Sequence, residues 1–274
     1  MEWIILVLIG LIASSVGSLI GLGGGIIIVP ALLYIGTYTD LLGDIPPQIA
    51  VGTTSLILIV TGLSSTLSYM KHKTVDYKSG FIFFVGSAPG AIIGAWVNKG
   101  LDVHSFNLYF GFFMIFVGIL LIVKNKLKPL KLRTDKGVVR TFTDPSGETH
   151  QYGFQPLLGF IISFVVGFAS GLFGIGGGSL MVPAMILIFV FPPHVAVATS
   201  MLLVFLSAIV SSATHISLGN VNWWFALALV PGAWFGAKIG SYLNTKIKSE
   251  TLINILRAFF IIMGLRLIYQ GILG

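Results

Sequence analysis

The amino-acid sequence predicts an all-α, polytopic membrane protein of about ten membrane segments, arranged as two inverted five-segment repeats with glycine-rich helix breaks. Three observations carry this. Of the 274 residues 55% are hydrophobic and only 9% charged, with a mean hydropathy of +0.98, too apolar for a soluble domain. Motifs of the first half return in order in the second. The basic residues gather in a few loops that an odd number of crossings per half puts on one side.

Five apolar segments fall in each half, at roughly 3 to 20, 24 to 38, 48 to 70, 79 to 98 and 105 to 123, then 156 to 173, 177 to 191, 194 to 217, 222 to 242 and 251 to 272. Helices are the expectation, because barrel strands alternate polar and apolar residues instead of running solidly apolar. The chain divides into a first transmembrane repeat (1–124), a basic linker (125–155) and a second transmembrane repeat (156–274). The stretch from Lys124 to Gln155, with Pro129 and Pro145, reads as a loop or small hairpin and not a span. Met1 to Ser15 lacks a positive n-region, so the first span is expected to stay uncleaved.

Gly21-Leu-Gly-Gly-Gly25 followed by Pro30 recurs as Gly174-Ile-Gly-Gly-Gly178 followed by Pro183. Pro46-Pro47-Gln-Ile-Ala-Val-Gly-Thr-Thr54 matches Pro192-Pro193-His-Val-Ala-Val-Ala-Thr-Ser200, and Val75-Asp76-Tyr77 matches Val221-Asn222-Trp223. Pro89-Gly90-Ala91 and Gly94-Ala95 recur as Pro231-Gly232-Ala233 and Gly236-Ala237, four residues earlier in register. With five crossings per half the second copy lies upside down. If the linker is cytoplasmic, 12 basic loop residues fall inside and one, Lys99, outside. Both termini and the loop bearing Asp40 and Asp44 then lie outside the cytoplasmic membrane.

The formal charge of +7 does not indicate nucleic acid, since no basic face is interleaved with aromatics. The absence of cysteine excludes disulfides, thiol nucleophiles and thiolate metal sites.

These paired motifs resemble the sulfite exporter TauE/SafE family of membrane permeases, across both halves. The resemblance implies movement of a small anion, sulfite or an organosulfonate, across the cytoplasmic membrane.

Three consecutive glycines disfavour a continuous helix, and a broken helix presents unpaired N–H groups and a positive dipole end to an anion. Gly23, Gly24, Gly25, Gly176, Gly177 and Gly178 are therefore candidate substrate-binding positions, with close helix packing as the competing role. Thr53, Thr54, Ser55, Thr199 and Ser200 are hydroxyl candidates, set against bonding back to the preceding turn. His215 is a candidate for an anion or a coupling proton, and His194 a weaker one. Asp76 and Asn222 read as helix N-caps, Pro46-Pro47 and Pro192-Pro193 as helix starts, and Tyr34, Tyr69, Tyr77, Trp96, Trp223 and Trp224 as interfacial anchors. Lys238 and Arg257 are expected to snorkel inward. Arg266 lies deeper, either snorkelling outward or facing the bundle, and is not assigned to the site.

No acidic residue lies deep in a segment, so a carboxylate-based cation pathway lacks its parts. The leading reading is a secondary transporter, not an enzyme, needing no cofactor, whose partners are the lipid bilayer, a small anionic substrate and a coupling proton or other ion. An anion channel is the alternative, since glycine-rich breaks also build filters. An intramembrane enzyme or a structural membrane protein ranks below both, because no catalytic constellation lies within the spans.

Overall fold

The computed structural model describes residues 2–39, 43–124, 137–143, 149–244, 246 and 250–273. Asp40, most of the linker's basic residues and Lys248 lie outside them. The described residues form ten helices and one two-stranded hairpin. In order they are α1 (Glu2–Ile20), α2 (Gly25–Tyr38), α3 (Pro47–Lys71), α4 (Tyr77–Lys99), α5 (Val103–Lys124), β1 (Val138–Thr143), β2 (Thr149–Phe154), α6 (Pro156–Phe173), α7 (Gly178–Leu187), α8 (Pro193–Ser217), α9 (Trp223–Asn244) and α10 (Glu250–Leu273). Six of them, α1, α3, α4, α5, α6 and α8, are long and apolar enough to cross a membrane. At 14 and 10 residues, α2 and α7 are too short for a full crossing.

The linker, read from the sequence as a loop or small hairpin, holds an antiparallel hairpin pairing Val138 with Phe154 and Thr143 with Thr149. One bound needs correction: α7 stops at Leu187 instead of running to 191. There Val190 turns to a φ of 58°, and Phe189 and Phe191 join Phe83, Tyr152 and Phe154 in an aromatic cluster. The Phe189 carbonyl accepts from the Gly153 N–H at 3.0 Å, so the hairpin takes over where the helix ends.

Proline at the first helical position starts α3 and α8, where its missing N–H leaves nothing unpaired. The Asp76 side chain caps α4 by accepting from the Ser79 N–H, and Asn222 caps α9 by accepting from Phe225. The helices pair as α1 with α9, α4 with α6, α5 with α10, and α3 with α8. Small residues let these backbones touch. A methyl group added at Gly90 or Gly94 would collide with the Phe164 or Phe168 carbonyl of α6; at Gly236 or Gly240 it would collide with the Leu11 or Ser15 carbonyl of α1.

These contacts correct the register of the repeat. Gly86, Gly90 and Gly94 do in α4 what Gly232, Gly236 and Gly240 do in α9, 146 residues on, the same spacing that separates Asp76 from Asn222. Asn98 and Asn244, also 146 apart, donate to the Leu172 and Leu19 carbonyls at 2.8 and 2.6 Å. Pro89 and Pro231 are therefore not counterparts: partner backbones constrain the glycines, and neither proline is buried.

Of the predicted anchors, Tyr34, Tyr77, Trp96, Trp223 and Trp224 are exposed, whereas Tyr69 is buried with its hydroxyl donating to the Ser18 carbonyl at 2.8 Å.

Candidate substrate site at the crossed helix breaks

The two glycine-rich elements are helix breaks, and they meet. Gly21, Gly23 and Gly24 take positive φ between α1 and α2, as Gly174 and Gly176 do between α6 and α7. A side chain at Gly25 would strike the Gly174 carbonyl, and one at Gly178 the Gly21 carbonyl. The first turns of α2 and α7 thus start side by side, bringing two positive dipole ends to one place. Among the described residues, the N–H groups of Gly24, Gly25, Gly177 and Gly178 donate to no protein acceptor.

Over this junction run α3 and α8, antiparallel and in contact where Gly62 meets the Phe205 backbone. Leu58 of α3 lies against both Gly23 and Gly176, and Val204 of α8 against Gly23; both side chains are buried and fill the centre. The site is therefore close-packed in this conformation.

Around the two side chains the helices carry buried hydroxyls. Thr53 accepts from the Asn222 N–H and Thr199 from the Asp76 N–H, each at 3.0 Å, an exchanged pair of bonds in which each half holds the other's turn. Ser55 and Ser211 bond across the crossing at 3.2 Å. Ser200 donates to the Gly21 carbonyl at 3.0 Å and to its own turn at Val197. Thr54, Thr66 and Ser212 hold buried hydroxyls with no partner among the described residues, Thr54 being 0% exposed. A buried unpaired hydroxyl is unfavourable by about 1–3 kcal/mol, a cost that Ser87 of α4 shares.

His215 is 0% exposed and spans α6 and the turn after α8: its Nε2 donates to the Gly171 carbonyl at 3.0 Å and its Nδ1 lies 3.4 Å from the Asn220 amide nitrogen. It stands where Tyr69 stands in the first half, 146 residues earlier, and both bond a carbonyl of the helix before a break. His194 sits at a helix start, 3.3 Å from Asn244 Oδ1.

The candidate glycines and Ser200 therefore come together, Thr54 follows one turn after the Val51 that touches Gly174, and Thr53, Thr199 and His215 serve as inter-helix ties. Ser207, Ser211, Ser212, Thr61, Ser65 and Thr66 were not singled out from the sequence. Their signal was available: Thr61, Ser65 and Thr66 recur 146 positions later as Ser207, Ser211 and Ser212, within helices otherwise apolar.

A helical bundle with membrane-length apolar helices, exposed apolar flanks and an uncharged, hydroxyl-lined centre defines a multi-pass membrane protein. Residues 6–267 match the family model described as Sulfite exporter TauE/SafE. The chain belongs to that family. It is 56% identical over 272 residues to the "Probable membrane transporter protein YunE" of Bacillus subtilis, covering 99% of each chain. It is 30% identical over 247 residues to a "Probable membrane transporter protein" of Xylella fastidiosa, covering 89% of this chain and 86% of the relative. A third relative, the "Probable membrane transporter protein YjnA" of B. subtilis, is 29% identical over 269 residues, covering 96% of this chain and 98% of its own length. No solved structure matches this chain significantly.

Proposed function

We propose that this protein is a secondary transporter of a small, sulfur-containing anion such as sulfite or an organosulfonate, working by alternating access of two inverted repeats in the cytoplasmic membrane. Family membership and the relatives' names support membrane transport. The observation that carries the finer reading is the junction itself: two helix starts with undonated N–H groups, with a buried, unpartnered Thr54 hydroxyl one turn along α3 from the Val51 that touches Gly174. Neutral donors of this kind hold an oxyanion without a fixed positive charge, so binding stays weak enough for release.

The exchanged Thr53–Asn222 and Thr199–Asp76 bonds, and the pairing of α1 with α9 and α6 with α4, are what a two-fold relation between inverted halves produces. Leu58 and Val204 close the centre, and their withdrawal to either side opens the junction alternately. The Lys71–Lys78 turn lies at the same end as the linker hairpin, since Tyr152 and Arg140 reach Asp76, which supports a shared cytoplasmic side for these basic segments and an outer location for both termini. Uphill movement draws on a proton or other ion gradient.

The test is proteoliposome uptake of radiolabelled sulfite and a panel of sulfonates, with and without a pH gradient, comparing wild type with Thr54→Val. Saturable uptake that the gradient drives and the variant loses, while its melting temperature holds, supports the reading. Non-saturating flux points to a channel, and no flux of any anion refutes the substrate class.

A further inference from the structure

Arg266, near the C-terminal end of α10, has no carboxylate partner among the described residues. Its guanidinium stacks on Tyr34 and Tyr38, with Cζ 4.2 and 4.6 Å from the ring centres, and those two rings stack on each other at 5.2 Å. Stacking engages the flat face of the group, and one hydrogen bond to the Tyr38 hydroxyl uses only part of its five-donor edge. A charge that the fold holds in place but does not neutralise, at the rim of an apolar bundle, calls for a counter-ion from outside the chain.

Space for one is present. A cavity of about 590 Å³ lies beside Arg266, and a smaller one of about 50 Å³ adjoins it through Val103, Asn107 and Gln270. His104, Asn107 and Gln270 supply further polar groups, and Gln270 Nε2 also donates to the Tyr38 hydroxyl at 2.9 Å, holding that ring in place. The nearby Asp102 caps α5 through the Ser105 N–H at 3.4 Å. Tyr269 and Leu273 of the cavity wall, with Ile262 and Leu265 along the same helix, form an apolar flank 57–67% exposed, and no residue of α3 or α8 lines the cavity.

We infer that Arg266, with its Tyr34–Tyr38 platform and the flanking His104, Asn107 and Gln270, binds the phosphate headgroup of an anionic phospholipid whose acyl chains lie against α10. The chemistry is a phosphate oxyanion against a guanidinium edge; the apolar flank assigns it to a lipid over a free anion.

Native mass spectrometry of the delipidated full-length protein tests this, with phosphatidylglycerol, phosphatidylcholine and sodium phosphate as separate probes. Wild type retains phosphatidylglycerol over phosphatidylcholine; Arg266→Gln loses about tenfold of that retention, the loss of one charge-assisted contact, while Lys99→Gln retains the lipid like wild type. Equal retention by wild type and Arg266→Gln overturns the proposal. So does sodium phosphate bound as tightly as the lipid, which would make the ligand a free anion. Should Arg266→Gln fail to give a monodisperse protein, the Asn107→Leu, Gln270→Leu double variant replaces it under the same criteria.

Discussion

Gly21, Gly23 and Gly24 of the first break all sit at positive φ, with Gly24 at 87°, whereas in the second break Gly177 lies at −61°. The bonding differs too. Ser200 ties the first break down through the Gly21 carbonyl, and its counterpart Thr54, beside the second break, makes no such bond. The surroundings continue the contrast. Beyond α2 the chain meets Arg266 and an open cavity, while beyond α7 the hairpin and five aromatic rings close the end. Two copies of one motif have thus become a break with three positive-φ glycines tied down by a serine and a break with two, next to a helix whose hydroxyl is unpartnered.

Alanine at the two N-cap glycines gives the largest effect that can break this comparison. Gly24→Ala combines a left-handed backbone with a methyl 2.8 Å from the Ala13 carbonyl, and should destabilise by about 2–4 kcal/mol or abolish folding. Gly177→Ala meets only a Val166 methyl, which can move, and should lose less than about 1 kcal/mol. Thermal melting of the purified variants in detergent checks the pair, and equal losses would mean the breaks are not differently strained.

Next come the exchanged bonds. Thr53→Val and Thr199→Val each strand a backbone N–H and should each destabilise by about 1–3 kcal/mol, with similar shifts in the same melts. A large disparity would undo the equivalence of the two crossings. Smaller still, Ser200→Ala should lower stability by about 1 kcal/mol, whereas Thr54→Val, which removes a hydroxyl with no bond to lose, should be neutral or slightly stabilising yet lose anion uptake. A destabilised Thr54→Val would reveal a structural role and remove the argument for a ligand there.

The hairpin end allows a final, modest test. Burial, then the Asp76 charge, push the Tyr152 phenol up, so it stays protonated and donates to Asp76 Oδ2 at 3.1 Å while Arg140 lies 3.9 Å from the same oxygen. Tyr152→Phe should lower the melting temperature by an amount corresponding to about 1 kcal/mol, an effect with no counterpart at Asn222.

Much of this was legible beforehand. Helix starts at Pro47 and Pro193, caps at Asp76 and Asn222, and breaks at both glycine runs follow from local rules that act within a turn or two of chain. Tyr69 and His215 were not legible as a pair, because a phenol and an imidazole share no sequence likeness and only their common carbonyl target relates them. The register of α4 against α9 was misread for a similar reason: two prolines advertised a match, but the partner backbones of α6 and α1 select the glycines.

By itself, then, the sequence determined which stretches are helical and apolar, where helices break, and that the chain carries one unit twice, since hydropathy and glycine or proline preferences act locally. Only the tertiary structure decided that the two breaks abut, that Leu58 and Val204 fill the space between them, which hydroxyls are spent on inter-helix bonds, and that Arg266 rests on two tyrosines beside an empty space. Those outcomes depend on contacts between residues far apart in the chain, where packing geometry and the pairing of buried polar groups choose the partner.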